Sequence, residues 1–239
     1  MITVIVVTLN AELFIDKTIS SILNSNLVGR VIIKDGGSKD ETLNIIKKYN
    51  DPRLGIFCQD DKGIYDAMNQ ALIYVNNDDY FCFINAGDLF LLKNNTLLKE
   101  KKYDVIIYTV IISDGNKFFK KNIPDLQKTN INIHHQGFLC LKKENTPLFS
   151  VQLGQYADLI WMEEIIHGPN VKIQISKNEL SMAITGGWSD AANFDRLLSF
   201  IKYCKNQNKS IYFDKRFYKG LLKIIIGNKI KYLIRILRK

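Results

Sequence analysis

The chain has 239 residues, enough for one domain or one domain with an appendage, and its 46% hydrophobic and 24% charged residues exclude a disordered or fibrous protein. Its 33 Lys and Arg against 24 Asp and Glu give a net charge of +9, and residues 215–239 carry that whole excess, with nine basic residues and no acidic one. A neutral body with a basic end argues against nucleic acid as a partner and for a tail that meets an anionic surface.

Residues 2–8 form a continuous β-branched run that reads as a buried parallel strand. Leu13, Ile15, Ile19, Ile22 and Leu23 then recur at helical spacing over 12–25. Val31-Ile-Ile-Lys-Asp35 is a second strand ending in Gly36-Gly37-Ser38. Ser38 is expected to cap a helix over 39–50, with Asp40 and Glu41 in its first turn. A third strand over 54–58 and a helix over 63–75 follow. A fourth strand over 80–84 runs into Asn85-Ala-Gly-Asp88, and a helix is expected over 89–98. Strand and helix alternate through the first hundred residues, which predicts an α/β fold with an open, mostly parallel sheet.

The second half is less regular. Residues 104–112 read as a strand turning at Asp114-Gly115 into a hairpin. Residues 137–141 read as a strand, 156–167 as a helix, 171–184 as one or two strands, and 189–204 as a helix capped by Ser189. No apolar run approaches the ~20 residues of a membrane-spanning helix. Residues 1–9 are too short an apolar stretch, without a basic leader, for a signal peptide. Cys58, Cys82, Cys140 and Cys204 are far apart and form no Cys-x-x-Cys pair, so reduced thiols and a cytoplasmic location are expected. The basic end carries two apolar stripes, Phe217, Leu221, Ile224, Ile225 and Ile230, Leu233, Ile234, Leu237, broken at Gly227-Asn228. Two readings stand for it: a terminal helix packed on the domain, or an interfacial anchor with Lys and Arg facing anionic lipid.

In an open α/β sheet ligands bind beyond the carboxyl ends of the strands. Those ends carry Thr8-Leu-Asn10, Asp35-Gly-Gly-Ser-Lys-Asp40, Asp60-Asp-Lys-Gly63 and Asn85-Ala-Gly-Asp88. This rim of carboxylates, amides and glycines suits a phosphate ligand only with a divalent cation, Mn²⁺ or Mg²⁺. Neither the dinucleotide fingerprint nor the P-loop pattern occurs.

The residues at these ends resemble glycosyltransferase family 2, of GT-A fold, in its bacterial surface-polysaccharide (colanic-acid or O-antigen) branch. The resemblance rests on Ile5-Val-Val-Thr-Leu-Asn10, Lys34-Asp-Gly-Gly-Ser-Lys-Asp-Glu-Thr42, Asp61-Lys-Gly-Ile-Tyr-Asp-Ala-Met-Asn69 and Phe83-Ile-Asn-Ala-Gly-Asp88, in that order. Fainter echoes follow at His134-His-Gln-Gly137, Tyr156-Ala-Asp158 and Thr185-Gly-Gly-Trp-Ser189. It implies a Rossmann-like sheet flanked by helices with a smaller acceptor-side β region. The domain would span residues 1–210, with 1–100 binding the nucleotide-sugar and 101–210 the acceptor, and 211–239 would be the basic amphipathic tail. It further implies an inverting, metal-dependent enzyme that moves a sugar from a nucleotide-sugar, UDP favoured, to a saccharide or lipid-linked saccharide. The enzyme would work at the inner face of the cytoplasmic membrane.

The roles implied are these. Thr8 and Asn10 frame the base and ribose, and Asp35, before Gly36, accepts from the base. Lys62-Gly63 brings backbone to the nucleotide, with Lys62 near phosphate or simply solvated, and Asp66 faces the donor. Asn69 is a structural clamp on a neighbouring loop. Asn85, Ala86, Gly87 and Asp88 stand where the family places its metal motif. Asp88 is the expected metal ligand, and the Asn at the first position weakens the site. Its bland alternative is to cap the helix over 89–98. Asp158 is the expected general base or, alternatively, a helix cap, and Glu163 and Glu164 are exposed backups. His134 and His135 contact acceptor or phosphate, ligate metal, or serve structural hydrogen bonds. Trp188 stacks on a sugar or plugs the core. A nucleotidyltransferase making a nucleotide-sugar and a non-catalytic membrane-docking scaffold are the competing readings.

Overall fold

The computed structural model describes residues 1–98, 100–120 and 133–184. Its elements in chain order are β1 (Ile2–Thr8), α1 (Ile15–Leu23), β2 (Val28–Asp35), α2 (Thr42–Lys47), β3 (Leu54–Cys58), α3 (Ile64–Leu72), β4 (Tyr80–Phe83), β5 (Leu89–Phe90), β6 (Val105–Ser113), β7 (Phe118–Lys120), β8 (Phe138–Leu141), α4 (Ala157–Ile166) and β9 (Ile173–Ile184). Two 3-10 turns, His135–Gly137 and Val151–Tyr156, precede β8 and α4. The strands form one sheet in the order β3-β2-β1-β4-β8-β6-β9-β5, with β7 paired to the outer part of β6.

The first four strands are parallel. Beyond β4 the directions mix: β8 is antiparallel to β4 and β6, β9 is parallel to β6, and β5 is antiparallel to β9. The fold is thus α/β with a parallel nucleus and a smaller mixed region on one side. All seven residues of β1 are buried, as its continuous apolar run requires for a strand covered on both faces. Its side chains alternate: Ile5 and Val7 join the core under α3 and α4, while Ile2, Val4 and Val6 join the core under α1.

Two expectations change. No helix occupies 89–98. Leu89 and Phe90 instead pair with Met182 and Ser181 of β9, so Asp88 caps nothing and sits at a strand junction. The helix after Ser38 starts only at Thr42: the Ser38 N–H and hydroxyl are taken by Asp35, Glu41 at the N-cap position makes no side-chain cap, and Asp40 folds the turn before it, accepting from the Thr42 N–H (3.1 Å) and its hydroxyl (2.5 Å). The segment expected over 171–184 as one or two strands is the single strand Ile173–Ile184, with register shifts against β6 at Thr109. The expected hairpin at Asp114-Gly115 is present between β6 and β7. Cys82 and Cys140 are buried thiols, and burial pushes the Cys140 thiol up to about 12; Cys58 is an exposed free thiol. The helix expected over 189–204, Cys204, Trp188 and the basic tail lie outside the described residues. Among the described residues no helix is long and apolar enough to cross a membrane.

Candidate active site

The carboxyl ends of β1, β2 and β4 meet at one rim, as parallel pairing requires. Thr8 is buried there, and its hydroxyl oxygen has no hydrogen-bond partner. Asn10 adopts a left-handed backbone (φ 49°), its N–H donates to the Ser38 hydroxyl (2.8 Å), and its side-chain oxygen accepts from the Lys39 N–H (2.9 Å). The loop after β1 is thereby stitched to the loop after β2.

Asp35 organises the second loop. Its Oδ1 accepts from the N–H groups of Gly37 (2.9 Å) and Ser38 (2.8 Å), and its Oδ2 accepts from the Ser38 hydroxyl (2.5 Å). The side chain is fully buried. The paired glycines have a cause: a Cβ on Gly36 would lie 2.5 Å from an Asp61 oxygen, and one on Gly37, at φ +93°, 2.8 Å from an Asp60 oxygen. Lys34 is a residue sequence reasoning overlooked. Buried to 1% exposure, its ammonium donates to Asp61 Oδ2 (3.0 Å) and to the carbonyls of Asp35 (3.0 Å) and Gln59 (2.5 Å). All three of its protons are used, and the loops after β2 and β3 close on one buried ion pair. A Lys inside an otherwise apolar strand was the signal available.

Gly63 begins α3 with φ +114° and open space where a Cβ would stand. Lys62 is exposed, and its N–H donates to Asp66 Oδ2 (2.8 Å), so the Asp66 carboxylate ties back to the entrance of its own helix. Asn69 is the clamp the sequence suggested: its amide donates to the Phe149 carbonyl (2.9 Å) and accepts from the Phe149 N–H (2.7 Å).

Beyond β4, the Gly87 N–H donates to the Thr18 hydroxyl (2.9 Å), and Thr18 in turn donates to the Asp88 carbonyl (2.9 Å). Ala86 packs on the core under α1. Asp88 is nearly buried. Its Oδ1 accepts from the Ile184 N–H at the end of β9 (2.7 Å), and its Oδ2 accepts from the Gln136 amide. Burial raises its carboxyl above the ordinary range, against the opposing pull of those two hydrogen bonds and of His135. Asn85 presents a buried side-chain oxygen with no partner, and so does Gln136.

These oxygens decide how a divalent cation would fit. Asn85 Oδ1 is free to ligate. The Asp88 carboxylate does not fit as it stands, because a cation there must first displace Gln136 or Ile184. Among the described residues no cluster of three His, Cys, Asp or Glu could hold a metal ion.

On the acceptor side, α4 places Asp158 in its first turn, where its Oδ1 accepts from the Leu159 N–H (2.8 Å). Its Oδ2 lies 3.2 Å from His135 Nδ1, and the Tyr65 hydroxyl of α3 stands beside it, held protonated by burial and by the Asp158 charge. His135 Nε2 in turn faces the Asn85 amide nitrogen at 3.5 Å. His134 stacks on His135 (centroids 5.1 Å, 17° between planes). Glu164 is exposed as expected, but Glu163 is buried.

A curled sheet with a parallel nucleus, helices on both faces and glycine-rich loops at its carboxyl ends is of GT-A-like fold. The chain belongs to glycosyl transferase family 2, which it matches over residues 3–150, a span that ends before Asp158. No curated protein sequence matches it. Among solved structures it is similar to S. aureus TarS 1–349 in complex with UDP, with 18% identity over 85% of this chain and 65% of that one and a TM-score of 0.58. It is similar to the mannosyltransferase PcManGT of Pyrobaculum calidifontis in complex with GDP-Man and Mn²⁺, with 14% identity over 93% and 69% and a TM-score of 0.60. It is also similar to GalNAc-T7 with UDP, GalNAc and Mn²⁺, with 12% identity over 86% and 47% and a TM-score of 0.63. The chain spans 60% of the length of TarS 1–349 in a second structure of that segment.

Proposed function

We propose that the chain is an inverting glycosyltransferase that takes a sugar from a nucleoside diphosphate donor, a UDP-sugar first, and gives it to a saccharide or lipid-linked saccharide hydroxyl. The observation that carries this reading is the position of Asp158. The helix that bears it comes from the second half of the chain, yet its carboxylate reaches through His135 to Asn85 on the donor rim. A base on one side and a donor floor on the other are what in-line displacement needs.

In this reading the nucleoside lies over Thr8, whose buried hydroxyl is unpartnered, and over the loop folded by Asp35 and Gly36. Lys62 and Gly63 stand beside it with an exposed ammonium and an open backbone. Asp158 accepts the proton of the acceptor hydroxyl as that oxygen bonds to the anomeric carbon. The bond from that carbon to the diphosphate oxygen breaks on the opposite face. A bound Mn²⁺ or Mg²⁺ would neutralise the departing diphosphate. Asn85 would offer it an oxygen without a partner in the fold, whereas both Asp88 oxygens are engaged by Gln136 and Ile184. The UDP, GDP-Man and Mn²⁺ in the similar structures favour this donor class. A membrane-linked acceptor accords with the basic residues of 215–239, which would hold the enzyme peripherally on an anionic cytoplasmic surface.

The test is a thermal-shift screen of UDP, GDP and CDP and of their sugars, with and without Mn²⁺, followed by release of the diphosphate from whichever sugar shifts the protein. One diphosphate is expected to stabilise the chain by several degrees, and Asp158→Asn is expected to keep that shift while losing about 100-fold or more in release. No shift with any diphosphate, or full release by Asp158→Asn, would overturn the reading.

A further inference from the structure

An aspartate in the first turn of a helix has a short side chain that samples several rotamers, and a base must point one way. Asp158 is held at both oxygens. Its Oδ1 is taken by the Leu159 N–H and its Oδ2 by His135, with the Tyr65 side chain of α3 beside them. His135 is itself held by the stacked ring of His134 and by Asn85. Both His135 and Asp158 keep some solvent contact, 17% and 22% of the side chain, so the pair stands at the mouth of the site and not in the core.

Nδ1 faces a carboxylate, which when ionised only accepts, so Nδ1 carries a proton toward Asp158. Nε2 faces the Asn85 amide at 3.5 Å. His135 thus links the end of β4 to the first turn of α4.

We propose that His135 and Tyr65 are positioning residues for Asp158, and that His135 sets the carboxylate's direction relative to the donor floor at Asn85. The proposal rests on the reading of Asp158 as the proton acceptor. In the step itself the acceptor's hydroxyl proton passes to Asp158, and His135 keeps its own. The histidine thus orients a carboxylate base, the reverse of the arrangement in which a carboxylate orients a histidine.

The test uses the full chain and whichever of UDP-N-acetylglucosamine, UDP-glucose or GDP-mannose it turns over, with release of UDP or GDP as readout. His135→Ala is expected to lower kcat about 10- to 100-fold with the donor KM within twofold of wild type. His135→Asn is expected to recover most of that loss, since its amide nitrogen can stand where Nδ1 stands. Tyr65→Phe is expected to lower kcat about 5-fold, again without a change in donor KM. In the Asp158→Asn background, His135→Ala is expected to cost nothing further, because two groups that act as one are not additive. Melting temperatures and far-UV circular dichroism identify any variant that has simply unfolded; His135→Asn and Tyr65→Phe, which keep the size of the side chain, then carry the test. Unchanged kcat in His135→Ala, a loss confined to donor KM, or losses that multiply with Asp158→Asn would overturn the proposal while leaving the base reading in place. Wild-type turnover by Asp158→Asn would overturn both, and that result is distinct from the others.

Discussion

Asp88 shows how one side chain can carry a motif's signature and a different local task. Its two oxygens join the end of β4 to the turn before β8 and to the last residue of β9. Burial makes the folded form hold its proton more tightly than the unfolded chain does. The stability that Asp88 contributes is therefore complete below the ordinary carboxylate pKa of about 3.9 and is lost as pH rises through the raised folded value. Asp88→Asn removes that titration. Its amide nitrogen would face the Gln136 amide, whose oxygen has no partner, so a flip of Gln136 restores the hydrogen bond. The variant is expected to melt at or above the wild-type temperature at pH 7 and to lose that advantage at pH 4, as followed by scanning calorimetry at both pH values. The same protein separates a latch from a ligand. A latch keeps the extra stabilisation by Mn²⁺ in the presence of the bound diphosphate, and a ligand loses it.

At the scale of elements, α3 is the hinge of the site. Its first turn carries the Gly63 entrance, Tyr65 beside Asp158 and the Asp66 tie, and its later turns bury Met68, Ala71 and Leu72. Asn69 fastens it to the backbone of Phe149 by two hydrogen bonds. Asn69→Ala breaks both and leaves the Phe149 N–H and carbonyl without their partners, which is expected to cost about 2–3 kcal/mol in urea unfolding, with faster amide exchange at Phe149. This clamp was legible because Asn69 lies three residues from Asp66, on one helix face. The strands of the first half were legible for a similar reason: β-branched runs such as residues 31–33 between turn residues leave little choice. The segment after Asp88 was not. Leu89, Phe90, Leu91 and Leu92 form an apolar run too short to show its period, and only pairing with Met182 and Ser181, about ninety residues on, makes two of them a strand. Lys34 and Gln136 escaped for the same cause, since their importance lies in partners remote in sequence or in backbone carbonyls that no side-chain pattern reports.

Across the whole molecule, the sequence suggested a donor half and an acceptor half, and the sheet runs through both without a break. Strand β4, from the first half, pairs on one edge with β1 and on the other with β8. Over this junction lies a cluster of aromatic rings: Phe81 and Phe83 from β4, Phe138 from β8, Phe149, and Trp161 from α4. Trp161 is the centre of the cluster. It stacks on Phe149 with centroids 4.5 Å apart and meets Phe81, Phe83 and Phe138 edge-on, and its indole N–H donates to the Pro147 carbonyl (2.7 Å). It also stands three residues after Asp158 on the same helix, so the ring that joins the two halves fixes the helix that aims the carboxylate. Trp161→Ala opens a cavity among these rings and leaves the Pro147 carbonyl unpaired, which is expected to cost about 3–5 kcal/mol. Trp161→Phe keeps much of the volume and should cost less. Near-UV and far-UV circular dichroism followed through urea unfolding are expected to give coincident transitions for the wild type, because one core serves both halves. If the wild-type transitions separate, or if Trp161→Ala unfolds at the wild-type midpoint, the two halves are independent bodies and the orientation of Asp158 toward the donor rim must come from somewhere other than this core.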